Sequence, residues 1–493
     1  MTNFPNTHEQ QLIIDAAVQT RRHMIVNARA GAAKTTTLIK VAEALPKASG
    51  LCLAFNTSIR DELKDRMPPN FKAMTLNGCG FNAWRRYIGK PTKVDKDKTY
   101  NILNELIREQ EKKDADKLWE NFAEIKKAIS LAKTAGYLPI PPHTAFRPLC
   151  GPDHFYDRVL PFETEPLERE IIDKVLQISW EATRNGVLDF DDMLLAPAVA
   201  GVSFDPYSDV LVDEAQDLSA INHVLIKKIV RGQGRLLAVG DPCQAIYGFR
   251  GADSSSMSTL GELFSADSFY LTTSFRCSKA VTRNAQWRAP DMNSPDWAAE
   301  GSVKKLDVWT EKDIPDGSAI ICRNNAPLFH MAIRLLRAGR YPELAGRDII
   351  KNVVTKMKKL GPAKLNREQS QLAVKAFVES EKLRQRDHKL VHDMAECMLV
   401  FINETDTLGD ACAFAQKLGT QSGRLYLMTG HGSKGLEFEN VFFLDQHLID
   451  IKAGQDNNLK YVIETRAKLN LTYITSEGYI DDSIAQERNE CAA

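Results

Sequence analysis

HMIVNARAGAAKTTTLIKVAEAL, residues 23–45, decides how the rest of the chain reads. HMIVNA (residues 23–28) is a short apolar strand. TLIKVAEAL (residues 37–45) carries Leu38, Ile39, Val41, Ala42 and Leu45 at helical spacing. Between them lies ARAGAAKTT (residues 28–36), a run of small residues that ends in Lys34, Thr35 and Thr36. Strand, small-residue loop, Lys-Thr and helix are the layout of a phosphate-binding loop. Its backbone N–H groups point inward at phosphate oxygens, and the helix N-terminus adds partial positive charge. In that layout Lys34 reaches the β- and γ-phosphates, and the Thr35 hydroxyl takes Mg²⁺. Ala28 and Ala33 stand at the two glycine positions of the usual G-x-x-x-x-G-K-[ST] pattern. The Cβ of Ala disfavours φ > 0, so Ala33 must fit a loop that Gly would fit more easily. Taken alone, the stretch also reads as an ordinary strand–turn–helix with a surface Lys.

Two further stretches point to the same crevice. In YSDVLVDEAQDLS (residues 207–219) an apolar strand ends in Asp213-Glu214. A carboxylate pair at the C-terminal end of a parallel strand sits where ligands bind. Asp213 is the candidate Mg²⁺ ligand, through water, and Glu214 the base for an attacking water. RLLAVGDPCQAIYGFRGAD (residues 235–253) follows another strand and offers Gln244 as a γ-phosphate sensor. Upstream, Thr7 caps a helix in THEQQLIIDAAV (residues 7–18). Its Gln10 either reads an adenine edge or is a solvated helix residue.

Composition bounds the rest. A chain of 493 residues suggests about three domains. Hydrophobic content of 43% beside 26% charged residues is that of a soluble globular protein. No run of 18 apolar residues occurs, so no membrane span is expected. MTNFPNTHEQQ shows no basic stretch followed by an apolar one, hence no signal peptide is expected. Nine dispersed cysteines without C-x-x-C spacing suggest reduced thiols and a cytoplasmic location, or a nucleoid or nuclear one in a eukaryote. Lys+Arg and Asp+Glu both number 64, so any nucleic-acid binding has to come from a local groove.

Along the remaining chain, LCLAF (residues 51–55) is a strand followed by a helix from Thr57 or Ser58. MTLNGCGFNAWRRYIG (residues 74–89) sets aromatics beside Arg, which suits nucleic acid or a packed helix with a basic edge. Residues 91–135 are charged and helical, with apolar stripes at Ile102, Leu103, Leu106 and Ile107, then Leu118, Trp119, Phe122, Ile125 and Ile129. The stripes read as core and the charges as a solvated face. The three aspartates of GVLDFDDMLL (residues 186–195) read as a capping cluster rather than a metal site. SFYLTTSFRCS (residues 268–278) reads as a strand ending in Phe275-Arg276, and SAIICRNN (residues 318–325) as another strand. Residues 351–419, with KNVVTKMKKLGPAKLNREQSQ, form a helical insertion between sheet elements. RLYLMTGHGSKGLEFENVFFLD (residues 424–445) is strand, Gly-rich turn, strand. LKYVIETRAKLNLTYIT (residues 459–475) is a helix carrying Arg466, then a strand.

In this order the motifs resemble the UvrD/Rep-type helicases of superfamily 1, from Gln10 to Arg466. AFNTSIRDEL (residues 54–63) looks like the branch that includes the F-box DNA helicases and small viral or bacterial relatives. The resemblance implies an α/β fold of two RecA-like parallel-sheet domains with helical insertions, and ATP in the cleft between them. The boundaries expected are 1–88 with 186–268 for the first domain and 89–185 for its insertion. For the second they are 269–350 with 420–493, and 351–419 for a reduced insertion.

Site roles follow from the resemblance. Gln10 matches the adenine-reading glutamine. Ala28, Arg29, Ala30, Gly31, Ala32, Ala33, Lys34, Thr35 and Thr36 make the phosphate loop. Thr35 and Asp213 hold Mg²⁺, and Glu214 activates water. Gln244 couples nucleotide state to DNA. Phe275 stacks on adenine, and Arg276 touches the γ-phosphate. Gly435 and Glu437 approach the nucleotide, Glu437 at the ribose, and Arg466 is the second γ-phosphate arginine. Phe55, Asn56, Thr75, Asn77, Phe249, Arg250, Thr429 and His431 line a single-strand track. Asn77 stands where many relatives have His, and Glu464 where a small or apolar residue is usual.

The activity implied is ATP-dependent translocation on single-stranded DNA with helicase action, moving 3′→5′, with ATP and Mg²⁺ as cofactors. Partners expected are single-stranded and tailed duplex DNA and a protein of replication, repair or recombination, with no membrane. Two alternatives stay open: the motor subunit of a recombination or nuclease complex, and an ATP-gated DNA-binding module with weak hydrolysis.

Overall fold

The computed structural model describes residues 5–140, 145–248, 255–385, 388–450 and 454–480. The chain divides into two compact units, Met1–Ala28 with Ala33–Leu271, and Arg29–Ala32 with Thr272–Ala493.

Among its described residues the first unit has eight strands. They are β1 (Met24–Ala28), β2 (Gly50–Ala54), β3 (Phe71–Thr75), β4 (Lys93–Val94), β5 (Val187–Leu188), β6 (Asp209–Val212), β7 (Arg235–Gly240) and β8 (Asp267–Leu271). β4 and β5 pair only with each other; the other six form one parallel sheet in the order β3-β2-β6-β7-β1-β8. Apolar runs such as DVLV and RLLAVG are buried along their whole length, as strands covered on both faces require. Ile25, Leu53, Val212 and Leu236 join Trp84, Ile221 and Leu225 in one core. The helix His8–Gln19 opens on a full capping box between Thr7 and Gln10.

The helices between β4 and β5 have a core of their own, built on Leu103, Leu106, Ile107, Ile129, Phe155 and Ile172. Trp119, from the expected apolar stripe, is instead exposed, with its ring stacked on Phe122. The charges here are not all on a solvated face. Lys98 and Lys133 are buried and meet Asp192 and Asp189 at 2.6 Å each. The same aspartates cap one another: Asp192 N–H donates to Asp189 and Asp189 N–H to Asp192. The cluster is therefore both cap and ion-pair hub. Burial lowers the Lys98 ammonium, whereas the two carboxylates outweigh burial and raise that of Lys133.

The second unit repeats the architecture. β9 (Ser302–Lys305), β10 (Ala319–Cys322), β11 (Pro342–Leu344), β12 (Leu425–Thr429), β13 (Phe438–Leu444) and β14 (Ala467–Ile474) form a parallel sheet in the order β11-β12-β10-β13-β14-β9. Four helices, Arg347–Lys359, Arg367–Lys382, His388–Asn403 and Leu408–Gly419, stand between β11 and β12. They share the core of the sheet, where Val353, Met357, Met398 and Phe401 join Ile320, Leu427 and Leu444.

Two expected elements end early. β8 stops at Leu271, so Phe275 and Arg276 lie in irregular chain. The helix Gly454–Glu464 stops before Arg466, which sits in the turn leading into β14. Among the described residues no helix is long and apolar enough to cross a membrane.

Candidate functional site

β6, β7 and β1 are neighbours and run out at the same edge: β6 ends at Val212, which faces Ala238 two residues before the end of β7, and Gly240 faces Asn27. Their exit loops are the DEAQD, GDPCQ and ARAGAAKTT segments, so one sheet edge collects all three.

Ala33 immediately precedes the helix Lys34–Glu43 and adopts φ 54°, ψ 41°. That left-handed conformation costs a non-glycine residue roughly 1–2 kcal/mol. Lys34 then points its ammonium at Glu214, 3.5 Å away. The Thr35 hydroxyl donates to Asp213 at 2.6 Å. Glu214 itself is left-handed, at φ 53° and ψ 40°. Strain of this kind persists where the surroundings over-determine it, commonly at active sites.

Asp213 is buried, and its carboxyl is pushed up to about 6, first by burial and then by the negative charge of Glu214. The Thr35 hydroxyl and Lys34 pull it back down. A desolvated carboxylate touching a hydroxyl is a fitting oxygen pair for a hard divalent cation. Among the described residues no group of three or more His, Cys, Asp or Glu could hold a metal. Thr35 and Asp213 could supply two oxygens to such an ion, and the remainder of a Mg²⁺ shell would come from phosphate and water.

Gln216 ties two of the loops together. Its amide nitrogen donates to Glu214 at 2.6 Å, and its amide oxygen accepts from Asp241 N–H at 3.0 Å. A Cβ at Gly240 would come 2.6 Å from that oxygen, so only glycine fits there. Gln244 donates to Asp241 at 2.6 Å, at the far end of the same chain of bonds. Gln10 is buried; its amide accepts from Thr7 N–H and donates to the Thr37 hydroxyl at 3.1 Å. Ala28 is the buried last residue of β1, and Thr36 lies half-buried in the first turn of the following helix.

In the second unit Arg276 pairs with Glu437 at 2.7 Å. Glu437 directly precedes β13, and Arg466 directly precedes β14. Arg466 is buried, and its guanidinium donates to the carbonyls of Val462 (2.9 Å) and Leu436 (3.0 Å). Gly435 is left-handed at φ 88°. This unit also includes Arg29, Ala30, Gly31 and Ala32. Within it Arg29 pairs with Asp291 at 2.6 Å, and Ala30 N–H donates to the Tyr461 hydroxyl at 3.0 Å.

Glu464, two residues before Arg466, is fully buried. It accepts from Trp287 Nε1 at 2.8 Å and from the Tyr473 hydroxyl at 2.7 Å, with Lys460 at 3.7 Å. Burial raises its carboxyl, and these donors oppose the rise.

The residues expected along a strand of DNA fall into three groups. Phe55, at the end of β2, is 44% exposed, and its ring lies parallel to that of Tyr247, 6.4 Å away at 6°. Asn56 and Thr75 each cap a helix, accepting from Ile59 N–H and Gly78 N–H. Asn77 donates to the Phe190 carbonyl at 2.8 Å. Thr429 ends β12, accepts from Gly432 N–H, and is followed by half-buried His431. Phe249 and Arg250 lie outside the described residues.

Residues 7–265 match the family described as UvrD/REP helicase N-terminal domain. The chain belongs to the UvrD/REP helicase family. Similar proteins include F-box DNA helicase protein 1 of Schizosaccharomyces pombe, 24% identical over 88% of this chain and 52% of its own. F-box DNA helicase 1 of Gallus gallus is 24% identical over 94% of this chain and 48% of its own. ATP-dependent DNA helicase PcrA of Staphylococcus aureus is 29% identical over 27% of this chain and 20% of its own. The chain thus spans about half the length of the F-box relatives. Its two six-stranded parallel sheets are the fold that UvrD/REP membership implies.

Within this UvrD/REP chain, motif reading passed over Gln216 and Tyr247. Gln216 was in view inside DEAQD, but nothing local says that its amide reaches the GDP loop. Tyr247 lies 192 positions from Phe55 in the numbering, and only the fold pairs them.

Proposed function

We propose that this chain is an ATP-dependent DNA helicase that translocates along single-stranded DNA in the 3′→5′ direction. The observation that carries it is the meeting of Lys34, Thr35, Asp213 and Glu214 on one sheet edge, with Gln216 linking Glu214 to the GDP loop.

In this reading Lys34 leaves Glu214 for the β- and γ-phosphates, which frees Glu214 to orient and deprotonate water. Thr35 and Asp213 would hold Mg²⁺, whose charge would offset that of the phosphates. Arg276 and Arg466 bind the γ-phosphate, and Arg276 exchanges Glu437 for it. Loss of the γ-phosphate on hydrolysis removes their partner, and differential contacts of this kind drive a two-state motor. Gln216, Asp241 and Gln244 relay the change from Glu214 toward Tyr247. Phe55 and Tyr247 take a base between their rings, worth roughly 1–3 kcal/mol and indifferent to sequence. Thr75, Asn77, Thr429 and His431 line the same strand, and Phe249 and Arg250 are assigned to it from sequence alone.

ATP turnover with and without oligo-dT tests the motor, and strand displacement on 3′- and 5′-tailed duplexes tests the polarity. DNA-stimulated hydrolysis and displacement of the 3′-tailed substrate are expected. Hydrolysis indifferent to DNA would overturn the motor, and preference for the 5′ tail would reverse the polarity.

A further inference from the structure

The turn that carries Glu214 is held from behind by two buried residues that the proposed mechanism does not use. Glu214 keeps a left-handed backbone, and the short helix Ala215–Asp217 follows it at once. Strain of that kind persists where neighbours fix the chain. Ser256 and His223, 1% and 6% exposed, are such neighbours. Ser256 opens the helix Ser256–Phe264, and His223 lies in the helix Ala220–Ile229, which leaves the DEAQD turn.

The bonds run in one direction. The Ser256 hydroxyl donates to the Ala215 carbonyl at 2.6 Å. A carbonyl only accepts, and a serine hydroxyl has one proton to give. Nε2 of His223, 2.8 Å from the same hydroxyl oxygen, is therefore the donor to it. His223 thus carries a proton on Nε2 and supports Ser256 in the rotation that reaches Ala215. The backbone N–H of Leu218 approaches the same carbonyl only at 3.5 Å, so the hydroxyl makes the shorter and stronger bond.

The Ala215 carbonyl belongs to the peptide unit that ends at Gln216 N. Ser256 therefore fixes the backbone end of Gln216, while Asp241 N–H fixes its amide oxygen at 3.0 Å. The amide nitrogen of Gln216 in turn holds Glu214 at 2.6 Å. The first turn of the helix Ser256–Phe264 serves both loops. Met257 Sδ would lie 2.7 Å from a Cβ at Gly240, so it packs on the end of β7. Polar side chains buried this deeply cost stability unless bonded, and here the bonds converge on one carbonyl.

We propose that Ser256, oriented by His223, is a positioning residue for ATP hydrolysis. Through the Ala215 carbonyl and Gln216 it sets the direction of the Glu214 carboxylate. This rests on the role of Glu214 proposed above. A base must lie within hydrogen-bond reach of the water it activates, and a misplacement of about 1 Å can cost about 10²-fold in rate.

The test is steady-state ATP hydrolysis at saturating oligo-dT, with melting temperatures alongside. It compares the full chain with its Ser256→Ala, His223→Leu and His223→Gln variants. Ser256→Ala removes one buried oxygen and should lower kcat by about 10–10²-fold. KM for ATP should not change, because Lys34 and Thr35 stay where they are. His223→Leu should fall in the same way. His223→Gln places an amide N–H near the position of Nε2 and should recover most of the turnover, which guards against a loss that is only poor folding. The double variant Ser256→Ala/His223→Leu should be no slower than Ser256→Ala, since the two residues act through one bond. Wild-type kcat in Ser256→Ala overturns the role, and so does a loss that appears in KM instead or that multiplies in the double variant. His223→Gln as slow as His223→Leu overturns the part of His223. A wild-type chain that does not hydrolyse ATP removes the role of Glu214 itself, and no variant then differs from it.

Discussion

The two units have the same architecture and use it differently. Each is a six-stranded parallel sheet. In the first, the candidate catalytic residues leave the C-terminal ends of β1, β6 and β7, and they are carboxylates, a lysine and amides. In the second, Glu437 and Arg466 sit at the opposite edge, immediately before β13 and β14, and Phe438 N–H binds Arg466 O at 3.0 Å. The C-terminal edge of that sheet carries Thr429 instead, level with Leu444 through their shared neighbour Cys322. The eight residues 430–437 therefore cross from one edge to the other. A fold repeated twice leaves function to the loops and to the edge they serve. In the proposed reading the first unit holds and hydrolyses a triphosphate and the second senses it.

That division can be broken by experiment. The largest effect expected is on turnover. Arg276→Ala should slow ATP hydrolysis by about 10³–10⁵ and Glu214→Gln by about 10²–10⁴, both with ADP affinity retained. If Arg276→Ala turns over like wild type, Arg276 has no part in the chemistry, and the second unit's share rests on Arg466 alone. Next, Phe55→Ala should weaken oligo-dT by about 1–3 kcal/mol in a fluorescence-anisotropy titration while ADP binding holds. Equal losses of both would merge the two functions assigned to the first unit. Glu464→Ala should destabilise the second unit by about 1–3 kcal/mol, since Trp287 and Tyr473 lose a buried acceptor. Glu464→Gln should cost less, and chemical denaturation reads both. An unchanged midpoint for Glu464→Ala would leave the buried carboxylate without a structural role. The smallest effect is at Ala33. Ala33→Gly relieves a left-handed alanine at the expense of a freer unfolded chain, so stability should change by less than about 1 kcal/mol. A large loss would mean that the Ala33 methyl group packs in a way its backbone conformation does not suggest.

Legibility in the sequence followed the range of the interactions. The strand–loop–helix at residues 23–45, the apolar strand before Asp213 and the Thr7 cap are local patterns, and all appear as read. Lys98 and Lys133 looked like solvated charge because helical periodicity reports a face, not a partner. Their aspartates lie 94 and 56 residues away. The end of β8 is hidden in the sequence because TTSF, with two β-branched threonines and a phenylalanine, stays β-prone past Leu271. What stops β8 is the pairing of Thr272 and Ser274 with Asn293, a contact no window of sequence contains.

By itself the chain determined which residue types stand at the ends of which strands. Spacing, capping and apolar alternation act over a few residues and are written where they act. Strand order was decided only in three dimensions. β1 and β6 flank β7, and that order brings Thr35 within 2.6 Å of Asp213, 178 positions on. Burial then raised the Asp213 carboxyl, and packing brought the Ser256 hydroxyl onto the Ala215 carbonyl, 41 positions away. Desolvation and distance are properties of packed neighbours, and residues remote in sequence become neighbours only when the sheet has formed.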